Sequence, residues 1–549
     1  MPADITLRIN GKTFIKPEGI TGREILAELA AQRPVAALRV NNEICPLSRA
    51  IDINADIEPV FADTAEGASV YRRTLCFVLA AAARSLFAGR HLLVGHSLGY
   101  GYYYTLGEGG ALSQRDLDAL KGQMDALIRK DLPIDNRYLA YRDAVRLFEE
   151  EGLSQSRLQM EYICPPKIQI NTMEGFCDMY FGPLLPRTGM LTTFGIMAYQ
   201  DGFLLRFPVH DEPERLPEFT DMPKLFAVYR SYKQWGRRLG VTSAASLNKL
   251  IHDRAEKDFI NITETLQNKR IADIADAIHQ RPSVRVVLIA GPSSSGKTTT
   301  SLKLALQLRA LGYRPKVISL DNYYVGRELN PRDENGNYDY ECLEALDIAL
   351  LNQNLVDLFD GRTVEVPSYD FDSGSRYYSG RTMRLEENDI LIMEGIHGLN
   401  DRLTPRIPAE KKFKIYLSAL TQLNLDDHNR ISTSDNRLVR RIVRDSNFRG
   451  KSASATISMW ANVQKGERLH IFPFQNNADA MLNTALDYEL PVLKVYAEPL
   501  LRCVSPLQPE YAEASRLLRF INNFLPIPAT SVPGQSIIRE FIGGSDFRY

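Results

Sequence analysis

The chain has 549 residues, 44% hydrophobic and 24% charged, with 66 lysines and arginines against 67 acidic residues. Such a length exceeds one compact core and points to several domains of about 100–200 residues each; the ordinary composition excludes a disordered or fibrous chain. A net charge of -1 supplies no global field for polyanions, so non-specific nucleic-acid binding is not expected.

From the N-terminus, ITLRI and TFIKP alternate like strands around the turn Asn10-Gly11. Thr21 then caps a short helix with Glu24 three residues on, and a second hairpin turns at Asn41-Asn42. Two hairpins around one helix predict a β-grasp domain over residues 1–62. Residues 63–225 mix helices and strands. Gly67 to Phe87 reads as helical, HLLVGHSLGYGYYYTL as a strand pair, and the segment after Ser113 as a capped amphipathic helix. Residues 226–283 read as a helical connector. From 284 to 505, the short β-branched runs VRVVLIAG, RPKVISLD, TVEVPSYD, DILIMEG and KFKIYLSA read as strands with helical segments between most of them, as in a parallel sheet covered on both faces. Residues 506–549 read as a C-terminal helix and tail. Six cysteines without CxxC spacing suggest neither zinc nor a disulfide framework. The N-terminus lacks a basic start before an apolar run, and Cys76–Ala83 is far short of the roughly 20 residues of a membrane helix. A cytoplasmic chain without a membrane partner is expected.

The strongest chemical signal is Gly291-Pro292-Ser293-Ser294-Ser295-Gly296-Lys297-Thr298, a full GxxxxGK[ST] motif between a predicted strand and a predicted helix. Its glycines turn backbone N–H groups inward around phosphate oxygens, and the helix N-terminus adds its dipole. These residues and Thr299 are the candidate ATP-binding set. Lys297 is expected to neutralise the β/γ-phosphates and Thr298 to meet Mg²⁺. DILIMEG ends an apolar strand on Glu394, the second candidate Mg²⁺ ligand. Asp321, at the end of the strand before it, is the candidate base for a substrate hydroxyl. In NRLVRRIVRD, Arg437, Arg440, Arg441 and Arg444 stand at helical spacing, and such a cluster can neutralise charge on a transferring phosphoryl group.

The P-loop, SLDNYY, NYDYECLEALD, VPSYDFDSGSR, DILIMEGIHGL and DNRLVRRIVRD occur in the order of the uridine kinase family, within the phosphoribulokinase/uridine kinase branch, which residues 284–505 resemble. The resemblance implies an α/β P-loop fold that transfers the ATP γ-phosphate to the 5′-hydroxyl of a ribonucleoside, uridine or cytidine first. It implies that Asp321 is the base, Tyr324 lines the pocket, and Tyr338-Asp339 are the aromatic–Asp pair whose carboxylate holds the ribose hydroxyls. It further implies that Tyr369 packs on the base, that Arg437 and Arg440 are catalytic lid residues, and that the chain forms a homo-oligomer. The family's base-reading histidine is replaced by Gly374, which opens the choice of nucleobase. The alternatives are a kinase of another ribose or sugar phosphate, and a tRNA- or RNA-binding regulator with ATPase activity.

Residues 5–62 resemble the TGS domain, and about 70–210 the editing domain, of threonyl-tRNA synthetases. ALRVNNEICPLSRAI, GYGYYYTLGEGGALSQRDLDALKGQMDAL and MEGFCDMYFGPLLP carry the resemblance. The family's editing HxxxH, Cys and His positions hold Arg73, Phe77, Tyr180 and Leu184 here. Metal ligation and acid/base chemistry are therefore not expected there, and tRNA is not the favoured partner. A binding or regulatory module is, with tRNA, a nucleotide or the kinase domain itself as its partner. Gly95-His96-Ser97-Leu98-Gly99 matches GxSxG, but that elbow needs a strand–turn–helix and the following YGYYYT favours a strand.

Overall fold

The computed structural model describes residues 3–29, 33–107, 110–332, 334, 336, 338–370 and 373–548. Asn337, Phe371 and Asp372, inside two of the segments quoted above, lie outside them.

Both predicted N-terminal hairpins form. Asp4–Ile9 pairs with Lys12–Pro17 through Asn10 and Gly11, and Val35–Val40 with Glu43–Cys45 through Asn41 and Asn42; all four turn residues have positive φ. That backbone matches the right-handed strand twist, and Asn and Gly tolerate it best. Ala55–Phe61 lies between the hairpins, parallel to the first strand, and Gly22–Leu29 is the helix. The Thr21 amide donates to Glu24 at 2.7 Å, as the capping signal predicts.

In the next region, the helix Ala65–Leu86 is capped by Thr64 and is buried without a break from Thr74 to Ala83. Gly195–Tyr199, Gly202–Arg206, Gly101–Leu106 and Leu92–Ser97 make a four-stranded antiparallel sheet. The helix Gln114–Arg129 starts on a capping box between Ser113 and Asp116.

The kinase-like part is built on five parallel strands in the order Arg314–Ser319, Asp389–Glu394, Val286–Ala290, Lys412–Ser418, Ala480–Asn483. The middle strand is buried at every position, as a strand covered on both faces must be. One expectation fails here. TVEVPSYD is not a strand of this sheet: Val364–Glu365 and Ser368–Asp370 each join a two-stranded antiparallel ribbon. Pro367 stands between them and cannot donate to a ladder. Ala480–Asn483 supplies the fifth strand instead.

The connector and the tail are not separate bodies. Leu247 and Ile260 of the connector, Leu438 and Ile442 of the kinase part, and Ile537 and Phe541 of the tail share one buried core. A second core joins Tyr103, Leu204 and Phe226 of the N-terminal half to Ala290, Tyr416 and Ile471.

Candidate active site

Parallel strands direct their carboxyl ends into one crevice, and three functional segments leave the sheet there. Val286–Ala290 runs into the glycine-rich loop, which opens the helix Lys297–Ala310. Ser294 and Gly296 take positive φ to make the turn. A Cβ on Gly291 would lie 2.5 Å from the Leu417 carbonyl oxygen, so only glycine fits between these strands. Lys297 Nζ folds back onto the Gly291 and Pro292 carbonyls at 3.1 and 3.3 Å. The hydroxyls of Ser294 and Ser295 are buried and, among the described residues, lack a hydrogen-bond partner. Unpaired buried donors at a helix N-terminus suit a phosphate.

Ser319 and Glu394 are register partners on adjacent strands, which sets Asp321 beside Glu394 at the mouth of the crevice. Burial pushes the Glu394 carboxyl up to about 7, the Asp321 charge adds to this, and Lys297 opposes it. Burial also raises Asp321, against the pull of Lys297, Arg449 and Arg444. The Thr298 hydroxyl donates to Glu394 at 3.4 Å. A hydroxyl and a carboxylate are the hard oxygen donors that Mg²⁺ takes, so these two residues fit that ion.

The arginine helix, Thr433–Arg449, departs from the sequence expectation. Arg437 and Arg440 are 3% and 0% exposed and do not form a lid. Arg437 pairs in two places with Glu467 and donates to the Ser293 carbonyl at 3.2 Å. Arg440 pairs with Glu489 and donates to the Ser294 carbonyl at 3.1 Å and the Thr484 carbonyl at 2.8 Å. Both brace the outer side of the P-loop. The cations that face the crevice are their neighbours. Arg441 donates to the Ser293 hydroxyl at 2.7 Å, and Arg444 and Arg449 act on Asp321.

Of the residues expected to line an acceptor pocket, Tyr324 and Tyr369 come together. Tyr324 and Tyr369 have ring centroids 5.5 Å apart, and the Tyr324 hydroxyl donates to the Tyr340 carbonyl at 3.2 Å. Asp339 accepts from the Glu341 amide at 3.0 Å and lies 3.8 Å from His470 Nε2. Tyr338 stacks beneath Arg332 at 4.2 Å and beside Tyr340 at 5.9 Å, so its ring packs with that loop. Gly374 has φ +68, and a Cβ there would lie 2.7 Å from Arg327 Nε. A guanidinium thus fills the place next to Gly374.

Sequence reasoning missed Glu341. Burial and the Glu467 charge push its carboxyl up to about 7, while Arg441 and Lys297 pull the other way. It therefore belongs to the same electrostatic cluster as Asp321. The signal was present in NYDYECLEALD, where it stands two residues after Asp339.

At the editing positions of the synthetase-like region named above, the side chains are committed to packing and hydrogen bonding. Phe77, Tyr180 and Leu184 are buried in one core, with Phe77 edge-on to Tyr180 at 5.7 Å. Arg73 spends its guanidinium on the Pro183 carbonyl at 2.7 Å. Ser97 sits within a strand and its hydroxyl donates to the Gly101 carbonyl at 3.3 Å, so no nucleophile elbow exists. Tyr103 and Tyr104 are buried packing residues rather than an exposed stacking surface.

Its neighbour is the kinase part. The loop before the arginine helix inserts into it. Asp427 accepts from the Gln155 and Ser156 amides at 3.0 Å each, Asn429 donates to the Met179 carbonyl at 2.8 Å, and Asn424 donates to the Val94 carbonyl at 3.0 Å.

A buried parallel strand, a complete phosphate loop and a carboxylate ending the adjacent strand define a P-loop nucleotide-binding domain. Residues 286–490 match the Phosphoribulokinase / Uridine kinase family. A uridine kinase of Macrococcus caseolyticus is 35% identical over 179 residues, 32% of this chain and 77% of that relative. One from Staphylococcus haemolyticus is 32% identical over 180 residues, 33% of this chain and 77% of the relative. The chain belongs to the phosphoribulokinase/uridine kinase family. Threonine–tRNA ligase 2 of Bacillus subtilis is 32% identical over 184 residues, which are 32% of this chain but only 28% of the ligase. The N-terminal half is thus similar to threonyl-tRNA synthetases, with TGS-like and editing-like regions. Among the described residues no helix is long and apolar enough to cross a membrane.

Proposed function

We propose that this protein transfers the γ-phosphate of ATP to the 5′-hydroxyl of a ribonucleoside, with uridine and cytidine the first acceptors to test. The observation that carries this reading is the convergence of the phosphate loop, Asp321 and the Tyr324–Tyr369 pair on one crevice. The loop amides and Lys297 hold the phosphates; Thr298 and Glu394 would hold Mg²⁺, which when bound neutralises phosphate charge. Asp321 accepts the proton of the acceptor hydroxyl as its oxygen bonds to phosphorus and the link to ADP breaks. Arg441, Arg444 and Arg449, which share the Asp445 carboxylate and are less buried than Arg437 and Arg440, are the cations that would neutralise charge on the transferring group. Asp339 is the carboxylate for the ribose cis-diol.

A sugar phosphate is the second reading for the acceptor. Arg327 beside Gly374 favours it, because a guanidinium grips a phosphate in two places. The N-terminal half is an intramolecular scaffold in this reading, since its neighbour is the kinase loop 424–429. An ADP-release assay with Mg-ATP tests the proposal, using ribonucleosides, deoxyribonucleosides and ribulose 5-phosphate, with Lys297→Ala as the blank. Stimulation by uridine or cytidine supports the first reading. Stimulation by the sugar phosphate alone supports the second. Stimulation by none overturns both.

A further inference from the structure

The first turn of the P-loop helix already holds an anion. The Thr299 amide donates to Glu540 Oε2 at 3.0 Å, and the Thr299 hydroxyl donates to the same oxygen at 2.7 Å. Glu540 lies 241 residues further along the chain, in the C-terminal segment. Thr299 follows Thr298 in the phosphate-binding run, so its amide and hydroxyl are two of the donors the loop offers to a nucleotide. A carboxylate oxygen that takes both makes the contacts a phosphate oxygen would make.

The segment is built to hold Glu540 there. Lys303, one turn further along the same helix, donates to the Gln535 carbonyl at 3.1 Å. Ile537 is 0% exposed and comes within 2.6 Å of where a Cβ on Gly296 would stand. Tyr488 and Ser536 share a hydrogen bond at 3.0 Å, and Arg440 lies over the Phe541 ring at 5.0 Å. The backbone around Glu540 is anchored, while Glu540 itself is only partly buried.

We propose that Glu540 sets the nucleotide affinity of this kinase: its carboxylate fills a phosphate position of the P-loop, and ATP binds in competition with it. The inference rests on the reading of the crevice as an ATP site. Two anions cannot share the Thr299 donors, because their repulsion in a half-buried site is not screened. Nucleotide binding therefore requires Glu540 to swing away. The two Thr299 donors are kept satisfied until ATP arrives.

The test is calorimetric binding of Mg-ATP to the full chain, in wild type, Glu540→Gln and Glu540→Ala, with melting temperatures alongside. Removing a charged competitor from the Thr299 donors should let both variants bind ATP about tenfold tighter or more. In turnover the change should fall on KM for ATP and not on KM for the acceptor. Equal or weaker ATP binding in both variants overturns the proposal, and a lowered melting temperature with unchanged affinity would make Glu540 a remote helix cap. In wild type, ATP should also speed amide exchange over residues 536–542, and increased protection there would count against displacement. The binding readout is separate from the acceptor: tighter ATP in the variants with no acceptor phosphorylated removes the proposed reaction and leaves this inference standing.

Discussion

His428 Nδ1 lies 2.7 Å from Asp178 Oδ2, with the imidazole as donor, across the seam between the kinase part and the N-terminal half. The two side chains are 12% and 2% exposed. Burial alone would push the imidazole down, but the charge and hydrogen bond of Asp178, with Asp427 and Asp426 behind it, raise it to about 9. An unfolded histidine titrates near ~6.5. The stabilisation is therefore fully present below about pH 6.5 and is lost as pH rises through about 9. Burial and Asp178 raise Asp426 to about 7, so its own contribution has gone by neutral pH. Melting temperature should fall between pH 7 and 9 in wild type. Asp178→Asn should flatten that slope and, by stranding a buried partner, cost about 3–5 kcal/mol at pH 7. An identical pH slope in the variant would mean that the seam does not titrate.

Arg440 and Glu489 form an ion pair that is 0% and 3% exposed. Removing one partner leaves a buried charge, so Arg440→Met should destabilise by about 3–5 kcal/mol. A double variant, Arg440→Met with Glu489→Met, should recover most of that stability. It should not recover ATP affinity, because the Ser294 carbonyl has lost its donor and the loop its brace. Urea unfolding and ATP titration of the three proteins separate the effects. Full ATP affinity in the double variant would show that the loop does not need Arg440.

In the proposed reaction, Asp321 and Lys297 have separable roles. Asp321→Asn removes the base and should lower kcat by about 10²–10⁴ while ATP still binds. Lys297→Ala should weaken ATP binding as well. Glu394→Gln should leave the fold intact and raise the Mg²⁺ concentration needed for half-maximal activity. Near-full turnover by Asp321→Asn would move the base to Glu341, which shares the cluster.

What was legible in the sequence was local. The phosphate loop, both Asn-bearing hairpin turns and the Ser113 cap each need fewer than ten residues, and the structure has them all. What was not legible depended on distant partners. Arg437 and Arg440 read as lid residues because Glu467 and Glu489, which pair with them, lie 30 and 49 residues away. Glu540 was unreadable for the same reason. The fifth strand of the sheet, Ala480–Asn483, is only four residues long and is recognisable by its pairing with Ile415–Ser418. TVEVPSYD had strand composition, but Pro367 ruled out a central ladder.

Gly374 and Arg327 bear on acceptor choice. The Arg327 amide donates to the Gly374 carbonyl at 2.9 Å, and the positive φ of Gly374 is one that other residues adopt with strain. Gly374→His would add that strain to a clash with the guanidinium, so restoring the family's histidine should lower stability by about 1–2 kcal/mol and not improve turnover. In the proposed reaction, Arg327 is the group placed to read the acceptor beside Gly374. A guanidinium only donates, so it selects acceptor atoms: a base carbonyl, or a phosphate. Arg327→Ala should raise KM for the acceptor about tenfold or more and leave KM for ATP alone. The comparison that decides between acceptors is Arg327→Lys. A phosphate accepts a point charge and should tolerate lysine, whereas a base edge held by a planar fork should not. Unchanged acceptor KM in both variants would remove Arg327 from recognition and leave Tyr324, Asp339 and Tyr369 to carry it.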